Sequence, residues 1–169
     1  MELSSAEDQK PTAMTKPELT GTTNRRTPNQ APQAAARHPP RREPAPVLDQ
    51  RFDSTGLVAL RSAIVAHAAP AVGDDLAEEM VLVAHELATN AVRHGGGGGR
   101  LRLWITDGQL WCEVSDGGPG LSDPAGAGTT LPALSTPGGR GLWIARQMAD
   151  LTITATTSGT TITAALPKR

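Results

Sequence analysis

From residue 47 onward, apolar residues recur first at strand spacing and then at helical spacing, and each change of period marks an element. VLDQRF (47–52) alternates weakly and predicts a short edge strand. Asp53 or Ser54 offers an N-cap for a helix of about 14 residues, along which Leu57, Leu60, Ile64 and Ala68 keep helical spacing. Pro70 with Gly73 is expected to end that helix. Asp74 caps a second helix whose apolar stripe is Leu76, Met80, Val83 and Leu87, closed by Gly95. LRLWIT (101–106) and LWCEVS (110–115) read as a hairpin turned at Asp107-Gly108, a pair suited to the positive φ angles of such turns. Residues 117–138 are rich in Gly, Pro, Ser and Thr and form a long loop, of the kind that is usually functional or disordered. A third helix is expected at about 140–149, then two strands, LTITATT and TTITAAL, meeting at Ser158-Gly159. The order β-α-α-β-β-loop-α-β-β predicts an α+β two-layer sandwich: a mixed, mostly antiparallel sheet covered on one face by helices.

The segment before residue 47 follows no period. It holds eight of the fourteen prolines and almost no large apolar residues, so it cannot bury enough surface to offset ordering entropy. Residues 1–46 are therefore expected to be a disordered, proline-rich tail, and residues 47–169 one folded domain. Charge changes little in this picture. The tail carries seven basic and five acidic residues and the remainder nine and twelve, so neither forms the basic footprint that nucleic-acid binding needs. A single cysteine, Cys112, excludes an internal disulfide and any cysteine-cluster metal site. No apolar run is long enough to span a membrane and no secretory signal is visible, so a cytoplasmic location is expected.

Three stretches carry candidate chemistry. On the second helix, Glu86, Asn90 and His94 stand one turn apart in a row beside the apolar stripe, at the margin of the buried face. In SDGGPGL (115–121), Asp116 ends a strand and Gly117, Gly118 and Gly120 let backbone approach a ligand while the carboxylate accepts a hydrogen bond. In PGGRGLWIARQMAD (137–150), glycines 138, 139 and 141 run into a helix start whose free N–H groups and dipole suit a phosphate, with Arg140 among them. Singly, each also reads as a solvated helix flank, a glycine turn or a loose helix start. No Gly-Lys-Ser/Thr follows, so none is a Walker-type loop.

Together and in this order, the stretches resemble the histidine-kinase-type (Bergerat) ATP-binding fold shared by sensor kinases, gyrase and mismatch-repair ATPases. The family's Glu-x-x-x-Asn pattern matches Glu86 and Asn90. Its Asp-x-Gly-x-Gly pattern matches Asp116, Gly118 and Gly120, and its Gly-x-Gly-Leu pattern matches Gly139, Gly141 and Leu142. GTTITAALP is similar to the family's closing strand, where a threonine helps hold adenine; Thr161, or Thr160 beside it, fits that role. The resemblance covers residues 47–167.

Within that fold, sensor kinases carry a dimerisation helix pair, for which the sequence before Val47 shows no pattern, and gyrase-like proteins carry a transducer domain. ELATNAVRHG resembles instead the anti-sigma-factor serine kinases. The resemblance implies an ATP- and Mg2+-dependent serine/threonine kinase that binds a sigma factor and phosphorylates a small antagonist protein. It implies Glu86 as the base, Asn90 as ligand to Mg2+, and Asp116 as acceptor from the adenine amino group. It places the phosphates on the amides of Gly139, Arg140 and Gly141, with residues 122–137 as a lid. The lid departs from expectation in carrying no Lys or Arg between Asp116 and Arg140, so phosphate neutralisation falls on Arg140 and the metal. Arg93 and Arg100 are candidates for partner or phosphate contacts, a capping role suits His94 equally well, and residues 95–99 read as a flexible connector. A non-catalytic, nucleotide-dependent module that sequesters a transcription regulator is the competing reading. A homodimer is compatible with exposed apolar positions on the first helix.

Overall fold

The structure is a computed structural model in which residues 44–133 and 139–166 are described. The disordered tail expected over residues 1–46 lies, up to residue 43, outside them. The elements are β1 (Leu48–Asp53), α1 (Leu57–Val72), α2 (Asp74–His94), β2 (Gly98–Thr106), β3 (Gln109–Ser115), α3 (Arg140–Met148), β4 (Asp150–Thr156) and β5 (Gly159–Ala165). Five strands form one sheet in the order β1-β2-β3-β5-β4. Every neighbouring pair is antiparallel, in keeping with the mostly antiparallel sheet expected. The helices cover one face, as the order of elements predicts for an α+β sandwich.

The sheet alternates cleanly, because successive side chains of a strand point to opposite faces. Leu101, Leu103, Leu110, Cys112, Val114, Ile162 and Ala164 join the core beneath Leu60, Ile64, Met80, Val83 and Leu87 of the helices. The other face holds Trp104 stacked on Trp111, with ring centroids 6.1 Å apart and the planes 7° from parallel. These two and Ala165 make a small separate cluster. The same face carries ion pairs joining Arg100 to Asp49 at 2.6 Å and Arg102 to Glu113 at 3.6 Å.

Local chemistry moves two expected caps. Asp53 does not cap α1: its Oδ1 accepts from the Thr55 amide (2.8 Å), the Thr55 hydroxyl (2.7 Å) and the Gly56 amide (3.1 Å). It thereby folds the turn ahead of the helix, whose N-cap is Gly56. Pro70 sits inside the last turn of α1, and Gly73, at φ 86°, ends α1 and begins α2. Asp74 and Asp75 therefore lie in the first turn of α2, where their charge complements the helix dipole without a cap bond. The β2–β3 turn is as expected, with φ of 51° at Asp107 and 70° at Gly108. The β4–β5 turn is formed by Thr157 and Ser158, one residue earlier than expected, since Thr156 pairs with Gly159.

This topology sets up a cleft. The chain leaves the end of β3, passes through the long loop and α3, builds the edge strand β4, and returns as β5 beside β3. The end of β3, the start of β5, the C-terminal half of α2 and the start of α3 thus converge.

Candidate functional site

At that convergence lies a cavity of about 250 Å³, walled by Leu87, Ala91, Val114, Leu121, Leu142 and Ile162 and edged by Asn90, His94, Asp116, Gly120, Gly139 and Thr160. A second cavity of about 210 Å³ opens beside it, lined by Glu86, Thr89, Asn90, Arg93, His94, Gly139, Arg140, Gly141 and Ile144. Asn90, His94 and Gly139 border both, so the two are compartments of one cleft, one apolar and one polar. A larger hollow of about 800 Å³ at the α1–α2 elbow is open and holds none of the motif residues.

Asp116 is fixed at the end of the apolar compartment. Its Oδ1 accepts from the amides of Gly118 (3.0 Å) and Thr160 (3.2 Å), and its own amide donates to the Thr160 carbonyl (2.9 Å). These bonds tie β3 to β5 and use one carboxylate oxygen, leaving Oδ2 for a donor from a ligand. Close backbone packing holds the carboxylate there. A β-carbon on Gly95 would lie 2.6 Å from Asp116 Oδ2, and one on Gly118 would lie 2.6 Å from the Gly95 Cα. The start of the five-glycine run is therefore packed against the site, and its last two members, Gly98 and Gly99, belong to β2. The run is not the loose connector that the sequence suggests.

The polar compartment is built from α2 and α3. Glu86 and Asn90 share one stripe of α2, and the Glu86 carboxylate reaches the space where a β-carbon of Gly141 would stand. Gly139, at φ 79° in the left-handed region, leads into α3, whose first N–H groups have no partner within the helix. The nitrogen of the Asn90 carboxamide is buried with no partner among the described residues, and so are His85 Nδ1 and Thr89 Oγ1 on the same turns. An apolar slot edged by a carboxylate that keeps one oxygen without a hydrogen bond among the described residues suits a flat heterocycle with an exocyclic amine. The adjoining helix start suits phosphate oxygens.

Most of the residues singled out by sequence meet here: Glu86, Asn90, Asp116, Gly120, Gly139, Arg140, Gly141 and Leu142 line one compartment or the other, and Gly118 holds Asp116. Thr161 does not line the cleft. Thr160 and Ile162 face the slot, and strand alternation turns Thr161 to the opposite face, opposite Ser115 and Thr154. Arg93 lines the polar compartment, whereas Arg100 is held by Asp49 on the outer face of the sheet. The apolar walls Val114, Leu121 and Ile162 were not anticipated. For Val114 and Ile162 the signal was available, since each is two residues from a polar site residue on the same strand face. The lid segment 134–137 lies outside the described residues. Among the described residues, no group of three or more His, Cys, Asp or Glu is placed to hold a metal ion, and no helix is long and apolar enough to cross a membrane.

Fold and cleft together define a nucleotide-binding domain of the antiparallel α+β class. Residues 51–166 match the family described as the histidine kinase-like ATPase domain, and the chain belongs to that family of ATP-binding domains. Among solved structures, a blue-light activated histidine kinase from Erythrobacter litoralis is similar at 26% identity and TM-score 0.47, over 57% of this chain and 31% of that one. The histidine kinase domain of the same protein is similar at 21% identity and TM-score 0.47, over 72% and 65%. The Acinetobacter baumannii histidine kinase AdeS is similar at 16% identity and TM-score 0.43, over 70% and 66%. This chain thus spans less than two thirds of each of these structures. No curated protein matches the chain.

Proposed function

We propose that this domain binds ATP with Mg2+ and transfers the terminal phosphoryl group to a serine or threonine of a partner protein, as an anti-sigma-factor kinase does. The observation that carries the reading is the juxtaposition of Glu86 and Gly141: a carboxylate on α2 stands against the first turn of α3, where phosphate would be received.

The apolar compartment takes adenine, with its amino group donating to Asp116 Oδ2 and Thr160 closing the side of the slot. The amides of Gly139, Arg140 and Gly141, with the Arg140 guanidinium, take the phosphates. The Asn90 carboxamide fits Mg2+, an ion that prefers oxygen donors and completes its shell with phosphate and water; when bound, it neutralises phosphate charge. The ligand would be the carboxamide oxygen, leaving the buried nitrogen, which has no partner among the described residues, to donate to a phosphate oxygen. Glu86 accepts the proton of the attacking hydroxyl as its oxygen bonds to phosphorus and the bond to ADP breaks. Few side chains are needed, because phosphoryl transfer is accelerated mainly by positioning and electrostatics. The partners proposed are a sigma factor and its antagonist protein, the latter the phosphoryl acceptor.

A second reading is favoured by one observation: no Lys or Arg stands between Asp116 and Arg140 to neutralise a transferring phosphoryl group. On that reading the domain is a nucleotide-dependent module that sequesters a transcription regulator without phosphorylating it. Co-purification identifies the bound proteins, and transfer of labelled phosphate from ATP to them separates the readings. Transfer that falls at least a hundredfold in Glu86→Gln, with ATP still bound, supports the kinase. ATP binding with no transfer by the unaltered protein selects the binding module.

A further inference from the structure

The loop between β3 and α3 holds a compact turn of its own. In it the Gly126 amide donates to Asp123 Oδ1 (2.9 Å), the Ala127 amide to the Asp123 carbonyl (3.1 Å), and the Thr129 amide and hydroxyl to the Gly126 carbonyl (3.1 and 2.8 Å). One long-range hydrogen bond joins this turn to α3: Arg146 Nε donates to the Ala127 carbonyl at 2.7 Å, across nineteen positions of sequence and partly out of solvent. Beside it Gly128, at φ 71°, packs so closely on α3 that a β-carbon would lie 2.7 Å from the Leu142 carbonyl carbon. Leu142 is also a wall of the apolar compartment, and Leu121, just ahead of the turn, is another. A peptide carbonyl receiving a guanidinium N–H is a charge-assisted bond, stronger than a neutral one. The turn, α3 and two walls of the slot are thus one mechanical unit, fastened by Arg146.

We propose that Arg146 is a positioning residue: it latches the 123–129 turn onto α3, holds the Leu121 and Leu142 walls in place before nucleotide arrives, and sets the rate at which nucleotide leaves. The proposal rests on the nucleotide reading for its second half only. Arg146 touches neither cavity, so it acts through the turn and not on the ligand.

The test is hydrogen–deuterium exchange on the full chain without nucleotide, paired with the release rate of a fluorescent ATP analogue chased by excess ATP. In Arg146→Gln, exchange at the Ala127 and Thr129 amides is expected to rise about tenfold, the change that loss of one hydrogen bond to a charged group brings. Analogue release should quicken by a similar factor. Arg146→Lys, which restores a charged donor, should recover part of both. The melting temperature, followed in parallel, should change little, because the turn adds few apolar side chains to the core. Unchanged exchange in Arg146→Gln overturns the latch, whether or not nucleotide binds. Raised exchange with unchanged release overturns its control of nucleotide exit. Failure of the unaltered protein to bind the analogue overturns the nucleotide reading instead, and the exchange measurement still decides the latch.

Discussion

Gly141 and Glu86 face one another so closely that a methyl group on the glycine would enter the space of the Glu86 carboxylate. The glycine is the second residue of α3 and the glutamate belongs to α2, so the contact joins the two helices that enclose the polar compartment. A helical Gly→Ala change ordinarily stabilises by about 1 kcal/mol. Here the added methyl meets the mobile end of a side chain and not backbone, so Glu86 is expected to swing aside while the helix holds. Gly141→Ala should therefore leave the melting temperature equal or raised, yet lower phosphoryl transfer at least tenfold. Unchanged transfer would separate Glu86 from the chemistry.

The glycine run offers a matched pair of substitutions. Gly95→Ala places a β-carbon against Asp116, which two amides hold fast, and overpacking of that kind costs about 1–3 kcal/mol. It should also weaken ATP binding. Gly97→Ala meets no atom within 4 Å, and its cost comes from the backbone, since φ is 96°. That cost should be about 1–2 kcal/mol with ATP affinity unaltered. Chemical denaturation and calorimetry check both, and equal effects on affinity would contradict the packing described.

Acid should loosen the β1 end of the sheet through two aspartates of different kinds. The hydrogen bond from Arg100, and then its charge, hold Asp49 below the usual carboxylate value; the Thr55 hydroxyl and the Thr55 and Gly56 amides do so for Asp53. A folded-state pKa below the unfolded one contributes stability that is present above the unfolded value of 3.8 and is lost as pH falls through the folded value. Melting temperature should therefore fall below about pH 4. High salt should shrink the contribution of Asp49, whose partner is an exposed ion, and spare that of Asp53, whose partners are neutral. Comparing Asp49→Asn and Asp53→Asn at low and high salt checks the distinction.

Cys112 is buried within β3, and burial followed by the charge of Glu113 pushes its thiol well above the usual value. The native protein should resist iodoacetamide at pH 8 for hours and react readily once denaturant is added. Rapid modification without denaturant would show that the sheet opens far more often than its packing suggests.

Much of this architecture was legible in the sequence where a pattern is local. The period of α2, the Asp107-Gly108 turn and the order of the glycine motifs each depend on residues close in the chain. What escaped depended on partners brought in from afar. Thr161 and Thr160 are neighbours in sequence, and a shift of one residue in strand register exchanges their faces; only pairing with Ser115 and Thr154 decides between them. Asp53 is a good cap by composition, but β1 continues through it, and its carboxylate is used by the turn. Gly95 looks like a terminator until Asp116, twenty-one positions later, is packed against it. Nothing near Arg146 in the chain marks it as the residue that holds the Ala127 carbonyl, nineteen positions away.

The central claim is that the slot between α2 and β3–β5 is the seat of ATP, with Asp116 as its acceptor. Isothermal titration of MgATP into the unaltered protein and into Asp116→Asn tests it most directly. The bonds from Gly118 and Thr160 can persist to the amide oxygen, while the position of Oδ2 turns from acceptor to donor facing the adenine amino group. Saturable binding by the unaltered protein, weakened roughly ten- to hundredfold by the substitution, is the expected result. No heat at millimolar ATP, or equal affinity in the two proteins, would contradict it.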